Sequence, residues 1–164
     1  MFTIVDYDIN KHKLLDDWID ESKYINVKTI NKYATYHEPI SETYQYFLDN
    51  PFDMANIKSF IKVFERDGIS YAVTIFHYYN DNDKYYLAIN PIIINPKLIN
   101  QGIGTIVLKL IVLKAKKIAE GKVDIIKGDT EKTNVASLRI FEKSGFIKSK
   151  KNDDFIEYIY KLTN

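Results

Sequence analysis

The sequence predicts a mixed α/β fold in one domain, residues 1–164. A chain of 164 residues can bury one substantial core but is short for two. Hydrophobic residues make up 46% and charged residues 27%, as in ordinary globular domains. The apolar spacing switches between strand-like and helix-like in the order β-α-α-β-β-β-α-β-α-β-β, without a repeat or linker. These three observations together predict the fold class.

The first part of the chain contains one strand and two helices. Residues 2–8 alternate as a short strand, and residues 11–22 place apolar residues at helical spacing, with Trp18 as a core residue. Residues 39–50 predict a second short helix, for which Ser41 is the candidate N-cap. The stretch between the two helices shows the least regular pattern.

Three strands follow in the middle of the chain. Residues 57–65 and 69–79 are rich in β-branched and aromatic residues, and they predict a hairpin around the turn "RDG". Residues 84–96 predict a third strand. Because Pro91 has no N–H to donate, we expect this strand to bulge or splay near it.

The last third alternates helices and strands. Residues 105–120 carry a broad apolar face, and Gly121 is expected to end this helix before a short strand at 122–128. Residues 134–145 predict a helix capped by Asn134 or Thr133. The end of the chain, "FIKSKKNDDFIEYIYKL", predicts two strands joined by a polar turn.

Composition excludes several classes of function. The chain has no cysteine, which excludes disulfides, thiolate nucleophiles and Cys-ligated zinc. His12, His37 and His77 lack ligand-like spacing, so no metal site is expected. A net charge of +1 argues against a nucleic-acid binder, and no apolar run approaches the ~20 residues of a membrane helix. The first residues lack the layout of a signal peptide, so we expect a cytoplasmic protein without membrane or nucleic-acid partners.

The segment "NQGIGT", residues 100–105, lies between a predicted strand and a predicted helix. The free N–H groups at a helix start and the helix dipole favour an anion, and glycine lets a phosphate approach the backbone. Neither a Walker A loop nor a full G-x-G-x-x-G motif is present, since Val107 stands where the third glycine would be. The alternative interpretation is a plain helix-entry turn.

A second motif, "NVASLRIFEKSGF" at residues 134–146, follows about thirty residues after "IINPKLINQGIGT". With these two motifs in this order, residues 58–162 resemble the GNAT family of N-acetyltransferases. The resemblance implies a mostly antiparallel sheet flanked by helices, with a splayed parallel pair at 85–95 and 123–128 that binds acetyl-coenzyme A.

The resemblance also implies which residues hold acetyl-coenzyme A. The loop N–H groups would take the pyrophosphate, the backbone of the splayed strand would face the pantetheine arm, and the later motif would contact it from the other side. The implied residues are Ile92, Ile94, Asn100, Gln101, Gly102, Ile103, Gly104, Thr105, Asn134, Phe141 and Lys143. For Lys143 and its neighbour Arg139, an ordinary surface position is the alternative.

Three positions depart from the family pattern. Ile99 replaces the Arg or Gln that begins the loop, which predicts weaker cofactor binding. Phe141 replaces the tyrosine that would protonate the leaving thiolate, so water or another tyrosine would take that role. Asn90 replaces an acidic residue of the aminoglycoside 6'-N-acetyltransferases, to which the chain is similar, whereas Asp129 matches another acid of that group.

Asp129, Asn90 and Tyr86 are therefore the catalytic candidates. Asp129 would attract the acceptor amine or position water, or else be a turn residue before the next helix. Alternation along the strand places Tyr85 and Tyr86 on opposite faces of the sheet, so one of them can line the acceptor site. Core or hairpin packing is the alternative explanation for both residues. His77 is a candidate base or a half-exposed strand residue. Four acidic residues near the amino terminus, Glu38, Glu42, Asp49 and Asp53, would hold a cationic acceptor or form a solvated surface.

These observations predict an N-acetyltransferase that moves an acetyl group from acetyl-coenzyme A to a primary amine. A homodimer is compatible with them. We favour a small-molecule acceptor, and an aminoglycoside is one candidate for it. Three alternatives stay open: an acyl-coenzyme A-binding module without catalysis, a protein or peptide acetyltransferase, and a nucleotide-binding protein. The sequence does not identify the acceptor, the oligomeric state or the pathway.

Overall fold

The structure, a computed structural model, describes residues 1–19, 39–52 and 56–163. The strands are β1 (Thr3–Asp6), β2 (Lys58–Arg66), β3 (Ile69–Asp81), β4 (Lys84–Ile94), β5 (Ile125–Glu131), β6 (Ile147–Lys151) and β7 (Phe155–Lys161). The α-helices are α1 (Ile40–Asp49), α2 (Ile103–Ala119) and α3 (Val135–Lys143), and two 3₁₀ helices span Lys13–Ile19 and Pro96–Leu98. In the described ranges, no helix is long and apolar enough to cross a membrane.

All seven strands belong to one sheet in the order β1-β2-β3-β4-β5-β7-β6. Neighbours are antiparallel except β4 and β5, which are parallel. The predicted mixed, mostly antiparallel sheet with one parallel pair is therefore confirmed. The parallel pair needs a crossover, which α2 supplies between β4 and β5.

Helices cover both faces of the sheet. On one face, here called the α2 face, α2 and α3 pack on a core that includes Leu87 and Ile89. On the other, the α1 face, α1 and the first 3₁₀ helix pack on a smaller core with Trp18, Val73 and Ile93. Because successive side chains of a strand point to opposite sides, the alternation in β3 and β4 supplies both cores.

Strand β4 is bulged in its middle. Asn90 and Pro91 together lie opposite Ile75 of β3, so β4 carries one residue more than its partner there. The register resumes at Ile92, opposite Thr74. The irregularity expected from the proline is therefore confirmed, and its cause is the missing donor of Pro91.

Two predictions about the first helices were wrong in detail. Residues 11–22 were expected to form an α-helix, and the structure has a 3₁₀ helix at Lys13–Ile19, with residues 20–22 outside the described ranges. Ser41 does not cap α1, since Pro39 occupies the N-cap position. Instead, the backbone N–H of Ser41 donates to Asp16 at 2.9 Å, and its hydroxyl donates to the same carboxylate.

Two predicted boundaries were also wrong. The strand expected at 122–128 is β5, Ile125–Glu131, because its polar end stays paired with β7. Helix α2 ends at Ala119, and its C-cap residue is Glu120, which adopts the left-handed conformation (φ 53°) in place of the expected Gly121. The other element predictions hold: Asn134 caps α3 by accepting a 3.1 Å hydrogen bond from Ser137 N–H.

A buried polar cluster attaches the amino-terminal turn to β2. The N–H of Asp8 donates to Nδ1 of His12 at 2.8 Å, and Nε2 of His12 lies 3.0 Å from Oε1 of Glu65. Nζ of Lys11 lies 2.8 Å from Oε2 of the same carboxylate. Burial acts to raise the pKa of Glu65, but the hydrogen bonds from Lys11 and His12 prevail and hold it below its ordinary value.

Candidate active site

The parallel strands β4 and β5 diverge at one end. They pair from Tyr86–Ile125 to Ile89–Gly128 and no further. Beyond that point each strand keeps only its outer partner, which is β3 for β4 and β7 for β5. In the described part of the chain, the facing edges of 90–94 and 129–131 therefore have no strand partner. We call this opening the fork.

The closed end of the fork rests on an aromatic stack. The ring of Phe141 in α3 is parallel to that of Tyr158, with centroids 5.0 Å apart, and meets Phe146 edge-on at 5.2 Å. Phe141 is 7% exposed. A Cβ on Gly128 would lie 2.6 Å from Cζ of Phe141, so only glycine fits where β5 crosses this ring. The ring that replaces the family's tyrosine thus lies beneath the fork, without a proton to give.

The loop before α2 presents backbone N–H groups. Asn100 (φ 64°) and Gly102 (φ 76°) are both left-handed, and Gly102 is the N-cap of α2. The first intrahelical bond is from Ile106 N–H to the carbonyl of Gly102, which leaves the N–H groups of 103–105 without intrahelical acceptors. A Cβ on Gly102 would have no heavy atom within 4 Å, so the space beside it is open. The positive end of the α2 dipole adds to an anion-binding position.

This loop is held in place from two sides. The Asn95 side chain donates to the carbonyl of Ser70 at 2.9 Å and accepts from Lys97 N–H at 3.0 Å. On the other side, the first turn of α2 contacts α3, since a Cβ on Gly104 would lie 2.7 Å from Cδ1 of Ile140. The loop is therefore fixed relative to both β3 and α3.

Charged residues lie within β5 and β7, with their side chains on the α1 face of the sheet. Asp129 lies opposite Glu157 in β7, and Nζ of Lys127 lies 3.5 Å from Oε2 of Glu157. Asp129 is exposed, but partial desolvation by the surrounding chain and the Glu157 charge raise its pKa above its ordinary value, against the opposing charges of Lys127 and Lys150. Burial acts to lower the pKa of Lys127, but Tyr79 and the two carboxylates prevail and raise it. Asp129 is thus a stronger base than an ordinary aspartate.

The structure separates the three catalytic candidates. Asn90 is exposed at the bulge, where the strands diverge, and Asp129 is the first β5 residue beyond the last pair. Tyr86 lies three residues before Ile89, about 10 Å along the closed part of the pair. Its ring stacks on Tyr79, with centroids 5.2 Å apart. Asn90 and Asp129 thus border the fork, whereas Tyr86 does not.

The other predicted site residues occupy different surroundings. Tyr85 is on the opposite face from Tyr86, stacked on Tyr78 at 6.0 Å, as alternation predicted. Asp129 lies inside β5, so its alternative interpretation as a turn residue is wrong. Lys143 is exposed in the last turn of α3. His77 is half-buried, and its Nδ1 lies 2.7 Å from Oγ of Ser59.

Several predictions concern residues around α1. Glu42 and Asp49 are exposed on this helix, and Asp49 accepts a 3.0 Å hydrogen bond from Gln45. Glu38 and Asp53 lie outside the described residues, as does His37. Within the described ranges, no group of three or more His, Asp or Glu side chains could hold a metal ion.

Three residues beside the fork were not predicted from the sequence: Gly128, Lys127 and Glu157. Gly128 was visible as an isolated glycine at a strand end, which is a signal of close approach by another group. Glu157 gave no signal, because its position beside Asp129 depends on the β5–β7 register. Lys127 was assigned to the strand, but its ion pair depends on the same register.

Comparisons with known proteins place this geometry in context. A profile described as the acetyltransferase (GNAT) family matches residues 17–146. The fold is similar to that of Campylobacter jejuni N-acetyltransferase PseH in complex with acetyl coenzyme A, with a TM-score of 0.68 and 17% identity over 99% of this chain and 100% of that one. Spermidine N-acetyltransferase from Vibrio cholerae, in complex with CoA and spermine, has a TM-score of 0.70 and 12% identity over 98% and 95% of the two chains.

A third structure of the same fold is aminoglycoside acetyltransferase AAC(6')-Ib in complex with coenzyme A and kanamycin. Its TM-score is 0.67, at 12% identity over 98% of this chain and 95% of that one. A search of curated proteins found no match. At these identities the structures show a shared fold, and the profile match over most of the chain shows the family.

Proposed function

The chain belongs to the acetyltransferase (GNAT) family, and we propose that it transfers an acetyl group from acetyl-coenzyme A to a primary amine of a small molecule. The observation that carries this proposal is the fork of β4 and β5. Beside it lies the open N-terminus of α2. An open strand edge next to an anion-binding helix start suits a ligand with both an extended amide chain and phosphates.

The described residues fit acetyl-coenzyme A on both counts. The N–H groups of Asn100 to Thr105 would hold the pyrophosphate, at the start of α2. The unpaired edge of β4 near Ile92 and Ile94 offers backbone groups to the pantetheine amides, in the manner of an added strand. Asn134 uses its side-chain oxygen as the α3 cap, which leaves its amide NH₂ for the other side of the arm. Lys143, an exposed cation in the last turn of α3, would bind the remaining phosphate.

When bound, acetyl-coenzyme A supplies an activated acetyl group as a thioester. A backbone N–H on the open edge of β4 would polarise the thioester carbonyl. Asp129, with its raised pKa, would take a proton from the acceptor amine directly or through water. Asn90, which cannot act as a base, would accept a hydrogen bond from an N–H of the acceptor amine through its side-chain oxygen. Positioning would supply much of the rate.

Phe141 decides how the reaction ends. Its ring lies beneath the fork without an acidic proton, so the leaving thiolate would be protonated by water or depart unprotonated. Because coenzyme A thiolate is a good leaving group near neutral pH, the reaction would proceed without this acid. The three structural relatives named above are acetyltransferases, and those crystallised with spermine and kanamycin hold amines, which supports an amine as the acceptor.

Thiol release from acetyl-coenzyme A, followed with a thiol-reactive dye, tests the proposal across aliphatic amines, aryl-alkyl amines, polyamines, aminoglycosides and peptides. The chain has no cysteine, so it contributes no background. We expect release with one class of amine and a loss of about 10²–10⁴-fold in kcat for Asp129→Asn. Asp83→Asn, an exposed change in the β3–β4 turn, is the matched control. Equal rates for the two variants would remove Asp129 from the mechanism.

A second candidate function rests on Phe141 and Asn90, which lack the acid groups of the family pattern. The chain would then bind acyl-coenzyme A without transferring the acyl group. Calorimetric binding of acetyl-coenzyme A without release by any amine would select this function, and Phe141→Tyr would then change little.

A further inference from the structure

A pocket outside the fork lies on the α1 face of the sheet, between α1 and the paired strands β2 and β3. It has a volume of about 310 Å³ and is lined by Tyr46, Phe47, Asn50, Ile57, Ser59 and His77. Ligand pockets start at about 300 Å³, and an engineered apolar cavity of ~150 Å³ already binds benzene. The pocket is therefore large enough for one substituted ring.

The described lining is rich in aromatic rings. Phe47 meets the imidazole of His77 edge-on, with centroids 6.3 Å apart. The imidazole contacts Ser59 through the 2.7 Å hydrogen bond. Asn50 donates its amide to the carbonyl of Tyr46 at 3.0 Å, which keeps that side chain against the end of α1. Among the described lining residues there is no carboxylate, lysine or arginine.

The strand register connects this pocket to the fork. His77 lies opposite Ala88 in β4, and Ala88 lies opposite Lys127 in β5. Asn90, at the opening of the fork, is two residues after Ala88 in β4. With about 3.3 Å per residue and about 4.8 Å between strands, His77 in the pocket lining is roughly 8 Å from Asn90 and roughly 12 Å from Asp129 along the sheet. A molecule of moderate length can occupy both.

We infer that this pocket is the subsite for an uncharged aromatic ring of the acceptor, so that the substrate class is an aryl-alkyl amine. This inference rests on the proposed function. The ring would lie against Phe47 and Tyr46, and a spacer of three or four methylenes would bring the amine to Asn90 at the opening of the fork, with Asp129 reached through water. Aromatic pairs favour such edge-to-face contacts beyond the gain from burial.

The same lining disfavours a polycation. Among the described lining residues, a second ammonium in the pocket would meet no carboxylate to compensate for the water it loses, which is costly. Polyamines and aminoglycosides, the ligands of two structural relatives, would therefore be poor acceptors for this chain.

The test uses the full chain with phenylalkylamines of one to five methylenes, n-butylamine and spermidine, and measures kcat/KM by thiol release. We expect 4-phenylbutylamine to exceed n-butylamine by at least about tenfold, with the shorter and longer spacers below it. Phe47→Ala should reduce that ratio about tenfold, and Phe47→Leu should reduce it less. Leu48→Ala is the matched control, since Leu48 is next in the helix, 56% exposed and outside the pocket lining.

Two results would overturn the inference while the proposed function stands: faster acetylation of spermidine than of any phenylalkylamine, or a Phe47→Ala ratio equal to that of Leu48→Ala. If no amine releases thiol, the proposed function fails and the pocket is tested separately. Saturation-transfer NMR with 4-phenylbutanol, which lacks the amine, would then show binding that Phe47→Ala abolishes. Absence of that signal in the unaltered chain would overturn the pocket assignment as well.

Discussion

Replacing Gly128 with alanine tests how the fork is built. The new Cβ would lie 2.6 Å from Cζ and 3.0 Å from Cε1 of Phe141, far inside van der Waals contact. The ring cannot withdraw easily, because Tyr158 stacks on it at 5.0 Å and Phe146 meets it at 5.2 Å. Overpacking of this kind costs about 1–3 kcal/mol, and the reduced freedom of the unfolded chain returns about 0.4–1 kcal/mol. We expect a net loss of about 1–2 kcal/mol.

Urea unfolding and thermal unfolding measure this loss, which corresponds to a fall in Tm of roughly 2–8 °C for a chain of this size. Gly104→Ala is the matched control, since its Cβ would lie 2.7 Å from a side-chain atom as well. That atom is the terminal Cδ1 of Ile140, which can rotate away, and alanine gains about 1 kcal/mol of helix propensity over glycine. Gly104→Ala should therefore leave stability unchanged or slightly higher.

A double-mutant cycle identifies the partner in the clash. In a Phe141→Leu background the penalty of Gly128→Ala should shrink by about 1 kcal/mol, because the atoms that the new methyl meets are gone. If Gly128→Ala is as stable as the unaltered chain, or if its penalty is the same in both backgrounds, the ring does not fix the closed end of the fork.

Three further changes have defined outcomes. Glu65→Gln should lower the free energy of unfolding by about 1–3 kcal/mol at pH 7, since charged hydrogen bonds to His12 are lost. The folded pKa of Glu65 is lowered, so its contribution is present above its ordinary value of about 4.3 and lost on further acidification; urea unfolding should show the two chains converging below pH 4. Asp129→Asn should raise Tm slightly at pH 7, because it removes a charge that is partly desolvated and repelled by Glu157 in the folded chain. Because the folded pKa of Asp129 is raised, the difference should vanish below about pH 3.9, and a difference that grows with acid would contradict it. Gly102→Ala should cost about 1 kcal/mol of stability and weaken acetyl-coenzyme A binding in calorimetry, with Gly102→Asn closer to the unaltered chain because asparagine tolerates a φ of 76°.

Features set by local chemistry were predictable from the sequence. Asn134 caps α3 through a hydrogen bond to a residue three positions later, and Gly145 takes the left-handed conformation (φ 85°) after it. Pro91 disturbs β4 because its own backbone lacks a donor. In each case the cause and the effect lie within a few residues, where sequence patterns carry the information.

Features set by distant partners were not predictable. Ser41 has the side chain of a helix cap, but Asp16, 25 residues earlier, accepts its hydrogen bonds instead. Strand β5 runs on to Glu131 because β7 supplies a partner, which its polar sequence did not reveal. The pairing of Asp129 with Glu157 likewise depends on a register between strands that the residues alone leave open.

The surplus residue in β4 changes which residues face each core: odd-numbered residues face the larger core before the bulge, and even-numbered residues face it after the bulge. Before it, the odd-numbered Leu87 and Ile89 enter the larger core; after it, the even-numbered Ile92 and Ile94 pack against that core, and Ile93 enters the smaller one. An unbroken alternation through Asn90 and Pro91 would instead direct Ile92 and Ile94 to the smaller core and Ile93 to the larger one, so the bulge is what keeps both cores filled as they are. Deleting Asn90 or Pro91 would therefore remove the bulge and leave the Ile92–Thr74 pair in register, whereas a second surplus residue would need a bulge of its own.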